Sequence, residues 1–336
     1  MASRSGARTI ADAGEFGFLS ALLPRLSAGR GTIVGPGQDC AVICCGRARV
    51  LLTIDALVED VHFRTAWLSP HQIGRKCFLV NASDVAAMGG RPRACVVSLC
   101  VPPSYLVRDL SALQAGIVQA AGEVGAFVVG GNLSRAAQLS ISIALLADAP
   151  RRLVTRQGAR PGDQLYITGT LGDAALAVHL LRSARRARAL PARIMRRFQE
   201  PPSRLLAGRA LVESGIVSAM IDVSDGLVQD LHHICEESRV GGIIDAARVP
   251  LSAAHRTHPA APDGLALHGG EDYELLCTIP ERNVTRLQRM RGRLGCPITH
   301  IGEITSRRGV RVLDRTGKTV KPRVTGYDHF LSGAKR

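Results

Sequence analysis

Apolar residues recur along the chain in two alternating patterns, which predict interleaved helices and strands. Helical spacing begins at residues 15–23, and Pro24 is expected to end that helix. Further helices are predicted at 72–88, 106–124, 173–181, 203–212, 225–236 and 282–294. Short apolar runs predict strands at 40–45, 50–54, 94–101, 127–129, 139–146, 164–168, 219–222, 273–279, 310–313 and 319–321.

This order of elements predicts a mixed α/β fold and excludes a pure helical bundle or a pure β-sandwich. A chain of 336 residues is long enough for two domains, each with its own core. Residues 149–152 and 158–162 interrupt the apolar pattern with Pro, Arg and Gly. We therefore expect one domain at 1–150 and a second at 151–336.

Composition narrows the class of protein. Hydrophobic residues make up 46% and charged residues 21%, which is typical of a globular chain rather than a disordered one. No apolar run approaches the ~20 residues that cross a bilayer, and the first residues lack a secretory pattern. No C-x-x-C pair occurs among the nine cysteines, which favours buried, reduced thiols. A cytoplasmic protein without membrane association is expected.

The net charge of +15 raises the question of a nucleic-acid partner. The excess is nearly all Arg, spread along the chain with one cluster at 182–197. Aromatic residues are few, and none is interleaved within that cluster to form a stacking platform, so no nucleic-acid partner is expected. A basic nucleic-acid binder stays open as an alternative that predicts steeply salt-dependent affinity. A positive field would also attract phosphate-bearing substrates.

Five aspartates lie beside apolar segments and carry the candidate chemistry: Asp39, Asp55, Asp84, Asp222 and Asp225. A single aspartate in such a place is typical of a helix or turn cap. Five of them exceed what capping requires. Carboxylates that converge from several elements suit Mg²⁺, which prefers hard oxygen ligands and keeps water that substrate phosphates replace. The set predicts a metal–phosphate site.

Glycine-rich segments at 130–132, 169–172 and 268–272 would let backbone N–H groups approach phosphate oxygens. The familiar nucleotide and hydrolase motifs are absent from the sequence: G-x-x-x-x-G-K-[ST], the protein-kinase set, G-x-S-x-G and H-E-x-x-H. A phosphoryl-transfer enzyme built on this chain would therefore hold its nucleotide in another way.

Six segments, taken in order, resemble motifs of the thiamine-monophosphate kinase family, which belongs to the aminoimidazole-ribonucleotide-synthetase-like superfamily. They are residues 58–63, 81–89, 156–163, 221–226, 269–275 and 326–330. The likeness runs from Gly14 to Phe330, nearly the whole chain. It implies a two-domain α/β fold whose N-terminal strands form a β-barrel across a homodimer.

The resemblance also implies transfer of the γ-phosphoryl group of ATP to thiamine monophosphate, in line and with several Mg²⁺ ions, as the last step of thiamine diphosphate biosynthesis. The implied metal ligands are Asp39, Thr53, Asp55, Asp84, Asp222 and Asp225, and Asp84, Asp222 and Asp225 are taken as catalytic. The implied ATP contacts are Gly131, Asn132, Arg156 and Ser224. The implied contacts to thiamine monophosphate are His62, Glu271 and Tyr327.

Elementary chemistry agrees with that assignment. Two phosphate-bearing substrates bring many negative charges together, so catalysis consists chiefly of charge neutralisation and positioning. A monophosphate acceptor is already an anion and needs no strong general base. Arg156 can act as a bidentate donor to phosphate, and Tyr327 can offer its ring to a cationic thiazolium.

The sequence departs from the family pattern at two places. The family's Gly-Asp-Asp is here residues 37–39 with Gln38, and its Gly-Gly-Asp is residues 130–132 with Asn132. Because an amide oxygen carries no formal charge, we expect fewer or more loosely held Mg²⁺ ions. A nucleotide-binding protein without catalysis is a further alternative.

Two other enzymes of the same superfamily are alternatives to this function. A selenophosphate synthetase calls for a reactive cysteine near the N-terminus, but the first cysteine is Cys40. The hydrogenase-maturation relatives end in a cysteine tail, whereas this sequence ends in Lys335-Arg336. Both are therefore disfavoured.

Overall fold

The computed structural model describes residues 9–26, 29–182, 190–259, 261–262, 264–314, 316–320, 322 and 330. Within this part of the chain, helices and strands alternate and the strands form two sheets. The mixed α/β class predicted from the apolar pattern is confirmed. Among the described helices, none is both long and apolar enough to cross a bilayer.

The first sheet has six strands in the order β1-β2-β3-β6-β4-β5. They are β1 (Thr32–Val34), β2 (Ala41–Cys45), β3 (Ala48–Val58), β4 (Arg91–Val101), β5 (Phe127–Arg135) and β6 (Ser140–Asp148). Neighbours are antiparallel except β4 and β5, which are parallel. This sheet is open, with β1 and β5 as its edges, and the described residues of one chain form no closed barrel.

The second sheet has seven strands in the order β13-β12-β9-β11-β7-β10-β8. They are β7 (Gln164–Thr168), β8 (Ala219–Asp222), β9 (Gly241–Asp245), β10 (Leu275–Ile279), β11 (Ile298–Thr305), β12 (Gly309–Leu313) and β13 (Thr319–Val320). Only the β9–β12 pair is parallel. Strands β12 and β13, predicted at 310–313 and 319–321, pair with each other antiparallel.

Helices cover these sheets and carry several residues of the site described below. They are α1 (Ile10–Ala13), α2 (Glu15–Leu22), α3 (Pro70–Ala87), α4 (Val107–Glu123), α5 (Asp173–Leu181), α6 (Ala192–Gln199), α7 (Leu205–Ser214), α8 (Leu227–Ser238), α9 (Ala253–Thr257), α10 (Leu265–His268) and α11 (Val284–Met290). The helix predicted at 282–294 is instead α11 between two short 3₁₀ turns.

Helix α3 is the central helix of the first half, and its sequence explains both its start and its burial. Ser69 and Gln72 form a capping box, and Pro70 occupies the first turn, where its missing N–H is not needed. Gly74 lets α4 approach closely, since a Cβ there would lie 2.0 Å from the carbonyl oxygen of Leu113. The helix is consequently enclosed on nearly all sides.

Strand alternation gives the first sheet two different faces. On β3, Thr53 and Asp55 share the inward face, while Ile54 points outward and is 65% exposed. Other outward apolar side chains are Val96 on β4, which lies in the same cross-strand row as Ile54 and is 46% exposed, and Val129 on β5, which is 65% exposed. The sheet thus buries one face under α3 and α4, and the described residues leave its other, apolar face uncovered.

Two strands are longer than the sequence predicted. Candidate residues expected at or beyond the ends of these strands therefore lie inside them. Asp55 lies inside β3 rather than at its end, because β3 pairs with β6 as far as Val58. Gly131 and Asn132 lie inside β5 rather than in a turn that ends it. Gly131 is needed there for close packing, since a Cβ would lie 2.2 Å from the carbonyl oxygen of Val97.

Candidate functional site

A cleft of about 1340 Å³ is lined from both halves of the chain. The first half contributes Asp39, Thr53 and Asp55, together with Asp84 from α3. From the second half come residues 222–225 after β8, and residues 268–271 before β10. Most of the residues that the sequence singled out therefore meet in one place.

Three of the predicted aspartates form a cluster in this cleft. Asp39, Asp84 and Asp222 each offer a carboxylate oxygen, and these oxygens all lie within 4.8 Å of one another. Thr53 Oγ1 donates to Asp84 Oδ2 at 2.5 Å, and Ser83 Oγ donates to Asp222 Oδ2 at 2.6 Å. Because Ser83 and Asp84 are consecutive in the last turn of α3, that turn joins the two halves of the cluster.

Burial and mutual repulsion raise the pKa values of these carboxyl groups. Burial is the larger cause for Asp222, whose pKa rises to about 7, and for Asp55, whose pKa rises to about 6; the charge of Asp39 adds to both. The pKa of Asp84 is raised well above its usual range by burial and by Asp55, Asp222 and Asp39. The carboxyl groups of this cluster resist ionisation because no positive charge compensates all of them, and a bound cation would supply that charge.

The donors of this cluster fit a hard divalent cation such as Mg²⁺. Asp39 Oδ2 is buried without a hydrogen-bond partner, so a lone pair in the cluster is available. The neighbouring donors are carboxylate and hydroxyl oxygens, which Mg²⁺ prefers over nitrogen or sulfur.

Arg156 also lines the cleft and pairs with the other oxygen of Asp39. Its Nε and Nη2 donate to Asp39 Oδ1 at 3.1 and 2.6 Å. The pKa of Asp39 is still raised, because burial outweighs the attraction of the guanidinium. The sequence predicted Arg156 as a phosphate contact but gave no indication of this ion pair, which joins residues 117 positions apart.

Two of the candidate contacts to thiamine monophosphate, His62 and Glu271, lie in the same cleft. His62 Nδ1 accepts from the backbone N–H of Val58 at 3.0 Å, which fixes the ring. Glu271 has a left-handed backbone, and its N–H donates to the carbonyl oxygen of Ser224 at 2.8 Å. Ser224 and Glu271 are thereby held side by side.

Sequence reasoning missed Lys76, which supports Glu271 from behind the cleft wall. Lys76 is only 1% exposed, and its Nζ lies 3.2 Å from Glu271 Oε2. The ammonium also lies 3.8 Å from the ring centroid of Phe198, which packs edge-on against Trp67. The sequence does carry one indication of a buried lysine, since Lys76 lies among the apolar residues of the helix predicted at 72–88.

A second group of possible ligands surrounds Asp225. Asp225, Asp230 and His233 offer atoms within 4.8 Å of one another. Asp230 Oδ2 also accepts from the backbone N–H groups of Asp225 and Gly226 at 3.2 and 3.0 Å. Asp230 was not singled out from the sequence, and these two bonds show that it shapes the start of α8.

Two predicted residues are not brought to the cleft. Gly131 and Asn132 lie on the edge strand β5, where Asn132 Nδ2 donates to Ser134 Oγ at 2.9 Å, and neither lines the cleft. Tyr327 lies outside the described residues. Part of the Arg cluster at 182–197 also lies outside them. Within the described part of that cluster, Arg197 pairs with the buried carboxylate of Glu274.

Comparison with known proteins identifies relatives along nearly the whole chain. Family models described as AIR synthase related protein match here, the N-terminal domain over residues 37–148 and the C-terminal domain over 160–315. The thiamine-monophosphate kinase of Escherichia coli strain K12 is 34% identical over 328 residues, which cover 95% of this chain and 99% of the relative.

Solved structures give the same result. AaThiL complexed with AMPPCP and TMP matches with a TM-score of 0.82 and 31% identity, over 97% of this chain and 100% of that one. The hydrogenase maturation protein HypE of E. coli matches with a TM-score of 0.71 over 93% of this chain and 98% of its own. At 19% identity, HypE shares the fold alone.

Proposed function

Since this chain belongs to the thiamine-monophosphate kinase family and is therefore a kinase, we propose that it transfers the γ-phosphoryl group of ATP to thiamine monophosphate, giving thiamine diphosphate. The observation that carries the proposal is the cluster of Asp39, Asp84 and Asp222 in one cleft with Arg156. Carboxylates for a cation beside a guanidinium for phosphate are the parts that phosphoryl transfer needs.

Each predicted residue keeps its role in this proposal. The metal ligands are Asp39, Thr53, Asp55, Asp84, Asp222 and Asp225, and Asp84, Asp222 and Asp225 are catalytic. The ATP contacts are Gly131, Asn132, Arg156 and Ser224. The contacts to thiamine monophosphate are His62, Glu271 and Tyr327. The two domains of the proposal are residues 1–150 and 151–336.

Several Mg²⁺ ions, when bound, would neutralise the phosphate charges of the two substrates. The chain's own residues bind and orient. Arg156 donates to nucleotide phosphate oxygens. One carboxylate oxygen of Glu271 accepts a hydrogen bond from thiamine monophosphate, while Lys76 holds the other oxygen of Glu271. The acceptor phosphate is already anionic, so transfer in line needs no side chain to remove a proton. Positioning by these residues, together with charge neutralisation, therefore accounts for the rate acceleration.

The turnover test uses purified protein with Mg²⁺, ATP and thiamine monophosphate, and follows formation of thiamine diphosphate. Product that requires both substrates is expected. Nucleotide binding without product would contradict the kinase proposal and favour a binding role. ADP formed equally without thiamine monophosphate would point to another acceptor.

Magnesium removal is expected to change stability in a pH-dependent way. The pKa values of Asp222 and Asp55 in the folded protein are about 7 and about 6, above the usual 3.8. From about pH 4 to 7 the folded state therefore holds protons that the unfolded state has lost, so stability falls as pH rises. Mg²⁺ would reverse this loss. The increase in Tm on replacing EDTA by Mg²⁺ should be larger at about pH 8 than at about pH 5, and equal increases would contradict the cation assignment.

A homodimer, with a barrel shared between the first sheets, is the assembly we propose. Supporting it, the outward face of the first sheet carries exposed Ile54, Val96 and Val129, and β5 is an edge strand among the described residues. Val129→Asp is expected to halve the mass measured by light scattering. Val107→Asp, at the exposed start of α4, is the matched control and should leave the mass unchanged. An unaltered mass for Val129→Asp would contradict this interface.

A further inference from the structure

Gln38 lies between a backbone N–H group, which needs an acceptor, and a carboxylate, which needs a donor. Its Oε1 accepts from the backbone N–H of Arg156 at 2.8 Å. Its Nε2 donates to Glu237 Oε2, near the end of α8, at 3.4 Å. An amide can do both at once, whereas the carboxylate that the resembled family carries here can only accept.

Ser238 holds the same loop from its other side. Ser238 Oγ donates to the carbonyl oxygen of Arg156 at 3.1 Å. It also accepts from the N–H groups of Gly158 and Ala159 at 3.0 and 3.1 Å. Both polar groups of the Arg156 backbone are thus fixed by side chains, one by Gln38 and one by Ser238, and both contacts lead to the end of α8.

The side chain of Arg156 depends on this fixed backbone. Its guanidinium reaches into the cleft and meets Asp39, the residue next to Gln38. If the backbone of this loop were not fixed, the Arg156 side chain would populate many rotamers. Phosphate binding would then lose free energy to ordering that side chain.

We propose that Gln38 is a positioning residue that, together with Glu237 and Ser238, aims the Arg156 guanidinium at nucleotide phosphate. The proposal rests on the proposed function, in which Arg156 contacts ATP. It gives Gln38 a role of its own, in place of the expectation that this position is only a weakened metal ligand.

Gln38→Glu is the first test, because it keeps the acceptor for Arg156 and replaces the donor with a carboxylate that faces Glu237. Loss of a charge-assisted hydrogen bond at a part-exposed site should raise the Kd for AMPPCP with Mg²⁺, and the KM for ATP, about three- to tenfold. The KM for thiamine monophosphate and kcat should stay within about twofold. A wild-type Kd in this variant would overturn the proposal.

The compensating variant Gln38→Glu/Glu237→Gln restores an amide opposite a carboxylate, with the two groups exchanged. It should recover the Kd for AMPPCP to within about twofold of wild type. Glu236→Gln changes the same charge on the neighbouring exposed residue of α8 and should alter neither Kd nor Tm. Failure of the double variant to recover, with Tm unchanged, would overturn the proposal.

Gln38→Asp separates positioning from metal binding. A weakened metal ligand predicts tighter Mg²⁺ binding and a KM for ATP no higher than that of wild type. Positioning predicts a raised KM for ATP, because the shorter carboxylate cannot donate to Glu237. AMPPCP binding is measured without turnover, so wild type that binds AMPPCP but makes no thiamine diphosphate would refute the proposed function while leaving these binding results to decide the role of Gln38.

Discussion

Replacing Asp84 by Asn is expected to abolish phosphoryl transfer and at the same time to stabilise the metal-free protein. Asn keeps the size of the side chain and can still accept from Thr53 Oγ1. It removes a buried carboxyl group whose pKa is raised by burial and by the charges of Asp55, Asp222 and Asp39. The cluster then repels itself less, but it also holds a divalent cation less well.

The expected loss in kcat/KM is about 10²- to 10⁴-fold, since metal-assisted charge neutralisation supplies several kcal/mol. The Tm in EDTA should rise, by about 2 °C for each kcal/mol gained. Asp148→Asn is the control, because Asp148 belongs to the first half as Asp84 does but pairs with Arg93 at the surface. Activity within about tenfold of wild type, or a lowered Tm in EDTA, would contradict the role given to Asp84.

The largest effect on stability is expected at Glu274. This fully buried carboxylate accepts from Arg197, Arg204 and the hydroxyl of Thr168. Glu274→Gln keeps the shape but leaves two guanidinium groups, only 19% and 15% exposed, without a counter-charge. Breaking a buried ion pair from one side costs about 3 to 5 kcal/mol.

Urea unfolding measures this effect directly as a change in the free energy of unfolding. Glu123→Gln is the matched control, because it also removes a carboxylate from an arginine, Arg75, but Glu123 is 47% exposed and Arg75 keeps Glu200 as a partner. That change should cost about 1 kcal/mol or less. Comparable losses in the two variants would show that burial does not set the strength of the Glu274 network.

The helices of the first half could be predicted closely because their signals are local. The predictions at 72–88 and 106–124 fall within two residues of α3 and α4 at each end. Strands β9 and β11 were missed, since Gly241, Gly242 and Gly302 break the alternation that marks a strand. In β11 the register shifts between His300 and Gly302. The hydrophobic pattern of the sequence gives no indication of this irregularity.

For the site, composition beside apolar segments was enough to select Asp39, Asp84 and Asp222 as candidates. Which groups orient them was not readable, because the partners are distant along the chain: Ser83 reaches Asp222 across 139 positions. The strand predicted at 127–129 stops short of Asn132, because two glycines follow its apolar residues. Close packing of Gly131 against β4 instead keeps that segment in a strand.

Because the two halves of the chain share the residues of the cleft, recombination between homologues is restricted in evolution. Asp84 comes from one half and Asp222 from the other, and the Ser83 hydroxyl joins them. Neither half carries the complete cluster, so neither can be selected for this chemistry alone. Exchange of one half with a distant homologue would preserve two folds and still separate residues that have adapted to each other. Lineages of such chains should therefore inherit the two halves together.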